Sequence, residues 1–121
     1  EGERRYALEP STDATAEALF ERRWALETLD RALARTAAWA RGGPEARAQR
    51  YEALVPLLWD EGPPQAEVAA RLGTSETALR VALHRLRARL KDDLRQEVLD
   101  TLADPADLDD ELRRLAAALR T

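Results

Sequence analysis

The 121-residue chain contains no cysteine and only one histidine, His84. Without thiols the chain can form neither a disulfide-bonded scaffold nor a thiolate metal site, and a single imidazole leaves little material for a histidine-based metal centre. No run of about 18 apolar residues occurs, and the N-terminal stretch EGERRYALEP lacks an apolar signal core. We therefore expect no membrane span, no secretory leader and a cytoplasmic location.

The chain also lacks the residue groups of common enzymes. It has no glycine-rich phosphate loop, and Ser75 and His84 are nine residues apart on different turns of one predicted helix, so no Ser-His relay is indicated. Asp109, Asp110 and Glu111 are adjacent, but a metal cage needs ligands that converge, and an acidic surface run is the expected interpretation. We expect no enzymatic activity, no metal and no cofactor.

Charge is unevenly distributed along the chain. The formal net charge is −4, yet residues 65–91 carry six basic and two acidic side chains, a local net charge of +4. Residues 1–64 and 92–121 carry net charges of −3 and −5. Because DNA binding depends on a local cationic patch before it depends on global charge, the central segment is the candidate nucleic-acid interface.

Residues 65–91 read QAEVAARLGTSETALRVALHRLRARLK, a pattern typical of two helices joined by a short turn. The apolar residues of the first helix recur at helical spacing: Val68, Ala69 and Leu72. Gly73 follows, the residue that most readily adopts the left-handed backbone closing a helix. Thr74 or Ser75 is then expected to cap the second helix by accepting a hydrogen bond from a free N–H of its first turn.

The second helix of this pair has one apolar and one cationic face. Its leucines recur at intervals of 4, 3 and 4 residues and form a buried stripe: Leu79, Leu83, Leu86 and Leu90. The residues that we predict to bind DNA are the cap, the opposite face and the flanking Arg87: Ser75, Thr77, Arg80, Val81, His84, Arg85 and Arg87. Arg89 and Lys91 flank that face. In a major groove the arginines could pair with guanine edges or phosphates, the hydroxyls with backbone oxygens, and Val81 with a thymine methyl. The alternative is a surface helix whose arginines are solvated.

The stretch AEVAARLGTSETALRVALHRLRARL, residues 66–90, closely resembles region 4 of bacterial sigma-70 factors of the extracytoplasmic-function type. That region typically reads AEVAxxLG, then a short turn, then a serine-led recognition helix ending in a basic HR(L/A)R segment. Glu21–Ala34 and Asp100–Leu119 also resemble segments around region 4, so the likeness extends over the chain beyond about residue 15. Thr74 and Gln65 depart from the pattern, since the family often has an apolar and an aromatic residue there.

The resemblance implies a function in transcription initiation. Region 4 of the family binds the minus-35 element of promoters and the flap of the RNA polymerase β subunit, and an anti-sigma factor is a further candidate partner. A sigma-2 domain, to which promoter melting is attributed, precedes region 4 in the family. Because the chain starts at Glu1 rather than methionine, we expect a piece of a longer product that does not start transcription alone. The alternative is an all-helical protein-interaction or regulatory module that no longer reads DNA.

Two helices are predicted before the central segment. Residues 1–15 are interpreted as a linker that ends in a helix cap at Asp13 or Thr15, and a long helix is expected from Ala16 to about Ala40. Its predicted apolar stripe comprises Leu26, Leu29, Leu33 and Ala37, joined by Leu19, Phe20 and Trp24. Trp24 and Trp39 are expected in core or rim packing rather than as base-stacking platforms.

A second helix is expected over Glu45–Trp59, with Pro44 at its first position and a kink at Pro56.

After the central segment the helix is expected to continue to about Leu102, since neither glycine nor proline occurs before Pro105. Asp104 and Pro105 are a start signal for a last helix. Its leucines are predicted to fold back on the preceding helix: Leu108, Leu112, Leu115 and Leu119 on Leu94, Val98 and Leu102. The acidic extension 92–121 is then either a stabilising cap or an arm that competes with DNA for basic residues.

The predicted fold is therefore all-α. We expect one domain over residues 16–121, a bundle of about five helices that contains a helix-turn-helix and ends in a C-terminal antiparallel helical hairpin.

Overall fold

The computed structural model describes the backbone of residues 12–120 and the side chains of residues 15–120. The helices are α1 (Thr12–Arg41), α2 (Glu45–Leu54), α3 (Gln65–Leu72), α4 (Glu76–Asp100) and α5 (Leu108–Arg120), with 3-10 helices at Val55–Trp59 and Pro105–Asp107. No strand occurs within residues 12–120. The prediction of an all-α fold with about five helices is confirmed.

Most predicted helix limits are close to those of the structure. The linker predicted for residues 1–15 lies mainly outside the described residues, but residues 12–15 are helical, so a cap at Asp13 or Thr15 is wrong. Pro44 precedes the first residue of α2 instead of being that residue. The kink predicted at Pro56 corresponds to the change from α-helix to 3-10 helix at Val55, because proline has no N–H for an α-helical bond.

The buried face of α1 consists of small side chains. Its members are Ala25, Thr28, Ala32, Thr36 and Ala40, each between 0% and 2% exposed. The predicted leucine stripe is therefore wrong by about one residue: Leu29 and Leu33 only border this face, and Leu26 is 41% exposed. Leu19 and Phe20 are 64% and 73% exposed. Small side chains at the contact permit a close approach of α4 to α1, which larger ones would prevent.

The main core lies where α4 meets the first three helices. All four leucines of the predicted α4 stripe are buried, at 1% to 9% exposure: Leu79, Leu83, Leu86 and Leu90. They pack with Val68 and Ala69 of α3 and with Tyr51 and Leu54 of α2. Burying one leucine-sized side chain contributes about 2 kcal/mol. This core therefore fixes which face of α4 points outward.

A second core cluster joins α5 to α1 and α4. Its buried members are Ala25, Val98, Leu115 and Ala118, and all seven apolar side chains predicted to meet there belong to it or border it. Beside this cluster the guanidinium of Arg114 lies 4.3 Å from the ring centre of Trp24 and its Nε donates to Glu21 at 2.6 Å. Packing against two helices makes α5 part of the bundle.

Polar contacts tie α1 to α4 along their length. Glu97 of α4 accepts hydrogen bonds from Arg31 at 3.0 Å and from Arg35 at 2.6 Å, and donation to Glu97 raises the pKa of Arg35. Further along, Trp39 has the guanidinium of Arg89 4.9 Å from its ring centre. None of the helices within residues 12–120 is long and apolar enough to cross a membrane.

Candidate nucleic-acid interface

Three residues separate α3 from α4, and their backbone has the geometry of a tight helix end. Gly73 has φ +68° and ψ +33°, and its N–H donates to the carbonyl of Ala70 at 3.1 Å. The N–H of Thr74 donates to the carbonyl of Ala69 at 2.9 Å. This pair of bonds satisfies carbonyls that the end of α3 would otherwise leave free, and it requires a left-handed residue at Gly73.

Ser75 caps α4. Its Oγ accepts a hydrogen bond from the N–H of Ala78 at 3.1 Å, so of the two caps considered from the sequence Ser75 is the one used. The bond occupies a lone pair of the hydroxyl, which keeps its proton available for donation. Ser75 is exposed at the start of α4, where unpaired N–H groups and the helix dipole favour an anionic group.

Five of the seven side chains predicted to bind DNA lie together on the outer face of α4. Thr77, Arg80, Val81, His84 and Arg85 are all exposed, and 46% of the surface of Val81 is accessible. The buried leucine stripe on the opposite side fixes their orientation. We refer to these five residues as the outer face of α4.

The arginines of this face have no hydrogen-bond or ion-pair partner within the described part of the chain. Arg80 and Arg85 make no hydrogen bond or ion pair with any residue of the described part of the chain, and Lys91, one turn or more beyond them, makes none either. Several arginines elsewhere are paired: Arg41, for example, donates from Nη2 to Glu52 at 2.6 Å, and this bond raises the pKa of Arg41. An uncommitted arginine can bind an external acceptor without first losing an internal partner.

Arg87 differs from the other predicted contacts. Its Nη2 donates to the carbonyl of Leu57 at 3.0 Å and lies 3.6 Å from Oδ1 of Asp60. Asp60 ends the 3-10 helix with φ +56°, so Arg87 braces a turn whose backbone is in the left-handed region. The sequence does not distinguish Arg87 from Arg80, since each directly follows a buried leucine of the stripe.

Arg89 is also occupied. Its Nε donates to Oδ2 of Asp93 at 3.1 Å, and its guanidinium stacks on Trp39.

Sequence reasoning missed Arg50 of α2, which lies with Arg85 along one cleft. Thirty-five positions separate these arginines in the sequence, so only the packing of α2 beside α4 relates them. Within the described part of the chain no three His, Cys, Asp or Glu side chains are grouped as metal ligands.

Comparisons of the chain with protein-family models, with curated proteins and with solved structures give no match. The interpretation of this surface therefore depends on its own geometry and charge and on the sequence pattern described above.

Proposed function

We propose that this chain binds duplex DNA through the outer face of α4, as the C-terminal, promoter-reading domain of an alternative sigma factor. The observation that supports this most directly is the pair of exposed, unpaired arginines, Arg80 and Arg85, on a helix whose opposite side is anchored by buried leucines. Such a rigid helix with free guanidinium groups is suited to insertion in a major groove.

In this proposal α3 and α4 form a helix-turn-helix, with α3 as the supporting helix and α4 as the recognition helix. Arg80 and Arg85 are separated by about 7.5 Å along the helix axis, roughly two base-pair steps. Each guanidinium can bind the O6 and N7 atoms of a guanine bidentately or bind a phosphate. Ser75 and Thr77, at the start of α4, are placed to donate to backbone phosphates, and Val81 to contact a thymine methyl.

The remaining helices serve as the support for this pair. We assign α5 and the C-terminal half of α4 to an antiparallel hairpin, which is anchored on α1 through Val98, Leu115 and Ala25. By resemblance, the DNA target is a minus-35 element and a second partner is the flap of the RNA polymerase β subunit. Since the formal net charge is −4, the isolated domain should bind weakly, and its affinity should fall as salt rises because each phosphate contact releases counterions.

Selection from random duplexes tests the proposal and does not require that the promoter sequence be known. Duplexes with a randomised core of about 12 base pairs are selected on the immobilised chain at low salt, and the enriched duplex is compared with its shuffled version by fluorescence anisotropy. We expect Arg80→Ala and Arg85→Ala each to weaken binding to the enriched duplex by about 5- to 100-fold, because a bidentate contact with a guanine is worth about 1–3 kcal/mol.

Arg23→Ala is the matched control. Arg23 is exposed on α1 and has no described partner, so this variant loses the same charge away from the outer face of α4. It should bind the enriched duplex nearly as well as the unaltered chain. Promoter reading is excluded if no duplex is enriched. It is also excluded if all three variants lose affinity equally and the affinity depends only on ionic strength and not on the duplex sequence. The interaction-module alternative would then be favoured.

A further inference from the structure

A cleft of about 690 Å³ lies between α2 and the first half of α4. Its walls include the apolar side chains Trp39, Tyr51, Leu54, Leu72, Ala82 and Val81. Burial raises the pKa of Tyr51 further above neutral pH, where a phenol is uncharged even at its ordinary pKa. The volume falls in the range of functional binding sites. These walls therefore offer a partner a mainly apolar surface.

The charged residues of the cleft are all cationic. They are Arg47 and Arg50 on the α2 side and Arg85 on the α4 side, and no aspartate or glutamate contributes to the lining. The guanidinium of Arg47 is held 4.2 Å from the ring centre of Trp39 and donates to the carbonyl of Trp39 at 2.9 Å. Arg50 and Arg85 have no partner in the described part of the chain. Although the protein has a net charge of −4, the lining of the cleft is therefore locally cationic.

We infer that the cleft docks an amphipathic helix of a partner protein, with bulky apolar side chains facing Tyr51 and Leu54 and carboxylates facing Arg50 and Arg85. Helix-in-groove recognition uses apolar anchors at helical spacing, and guanidinium groups bind carboxylates bidentately. DNA is the less suitable occupant, since the surface of a duplex backbone is polar and anionic and would leave the apolar wall unfilled. Charge complementarity therefore selects an acidic helical segment.

A helix docked in the cleft would compete with DNA, and this part of the inference rests on the proposed function. Val81 and Arg85 belong both to the outer face of α4 and to the cleft lining. A helix that pairs with Arg85 removes one of the two free arginines from DNA and covers the apolar contact at Val81. The acidic helix and the duplex therefore exclude each other.

The first experiment tests docking in the absence of DNA. A displayed library of about 16-residue helical peptides, with the charge of the polar face varied from acidic to basic, is selected on the full chain. We expect enrichment of acidic peptides with bulky apolar residues at intervals of three and four. A synthetic copy of the enriched peptide should lose at least 10-fold in affinity with Ala46→Trp, which fills the cleft from α2, and with Arg50→Ala.

The controls place the equivalent changes elsewhere. Ala117→Trp adds the same side chain to an exposed position of α5, and Arg23→Ala removes the same charge from α1. Both variants should bind the peptide like the unaltered chain, and circular dichroism should show the same helix content in all four. Enrichment of neutral or basic peptides, or unchanged binding by Ala46→Trp, would overturn the docking site.

The second experiment tests exclusion with the duplex enriched as described above. The peptide should displace this duplex from the unaltered chain, whereas Ala46→Trp should bind the duplex and resist displacement. Simultaneous binding of peptide and duplex would overturn the exclusion. A loss of duplex affinity with Arg50→Ala while peptide affinity stays unchanged would assign Arg50 to the DNA interface and overturn the peptide site. Failure of the unaltered chain to bind any duplex contradicts the proposed function and leaves the result of the first experiment standing.

Discussion

The hydroxyl Oγ1 of Thr36, in α1, lies 2.7 Å from Oδ2 of Asp93, in α4, and the two residues are 0% and 5% exposed. Arg89 donates to the same carboxylate oxygen from Nε at 3.1 Å. A buried carboxylate is stable only when its hydrogen bonds are made, and here one donor comes from each of the two helices. This contact fixes the position of α4 along α1, and with it the direction of the outer face of α4.

Thr36→Val should destabilise the protein by about 1–3 kcal/mol, because it leaves one donor fewer for a buried carboxylate. Thr28→Val is the matched control: Thr28 is 2% exposed on the same face of α1, but its hydroxyl has partners only in its own helix, donating to the carbonyl of Trp24 at 2.8 Å and accepting from Arg31 at 3.3 Å. We expect a cost below about 1 kcal/mol for the control. Urea unfolding measures both, and equal costs would mean that the contact with Asp93 contributes nothing specific.

The α4 leucines and the Gly73 turn could be predicted from the sequence because their signals are local. Regular spacing of Leu79 and Leu83 defines a buried stripe, and the glycine follows the last apolar residue of α3. The buried face of α1 could not be found in this way. Its alanines and threonines carry little hydrophobic signal, and the larger Leu26 and Leu33 beside them suggested a stripe rotated by about one residue.

Arg80 and Arg87 show what could not be predicted about the candidate site from the sequence. Both are basic residues of one helix, and the sequence indicated DNA contacts for both. Only the tertiary fold brings the carbonyl of Leu57 to the Nη2 of Arg87 and leaves Arg80 without a partner in the described part of the chain. Long-range contacts of this kind depend on how α2 and its 3-10 extension pack, which spacing along α4 does not encode.

Gly73→Ala should destabilise the protein by about 1 kcal/mol through the backbone alone. The residue has φ +68°, and a Cβ there would have no neighbour within 4 Å, so no side-chain clash contributes. The cost arises because L-residues with a Cβ disfavour the left-handed region. Gly73→Asn should cost less, since asparagine enters this region more readily. Thermal unfolding of both variants measures the difference, and a neutral Gly73→Ala would show that the turn does not depend on this geometry.

The contact between Glu21 and Arg114 makes the stability of the fold depend on pH. The hydrogen bond from Arg114 lowers the pKa of Glu21 below its ordinary value of 4.5. Because the pKa is lower in the folded state than in the unfolded state, the pair stabilises the fold above about pH 4.5, and this contribution is lost as pH falls through the lowered pKa.

Glu21→Gln should therefore flatten the decline of Tm between about pH 6 and about pH 3. The change should be small, since an exposed ion pair is screened by solvent. Glu17→Gln, which alters an exposed glutamate one turn earlier without a described partner, is the control and should keep the slope of the unaltered chain. A slope that responds equally to both substitutions would assign the effect to net charge.

The acidic extension should act as a structural cap and not as an arm that competes with DNA. The extension is anchored at Val98, which lies about 20 Å along α4 from Arg85, a distance at least twice the screening length at physiological salt. In addition, Asp110 forms an ion pair with Arg113 within α5. We therefore expect Asp109→Asn combined with Asp110→Asn to leave affinity for the enriched duplex within about twofold at physiological salt. Leu115→Ala, which removes a side chain that is 1% exposed, should instead cost about 2–4 kcal/mol of stability in urea unfolding. Tighter DNA binding by the double asparagine variant at unchanged stability would favour the competing arm.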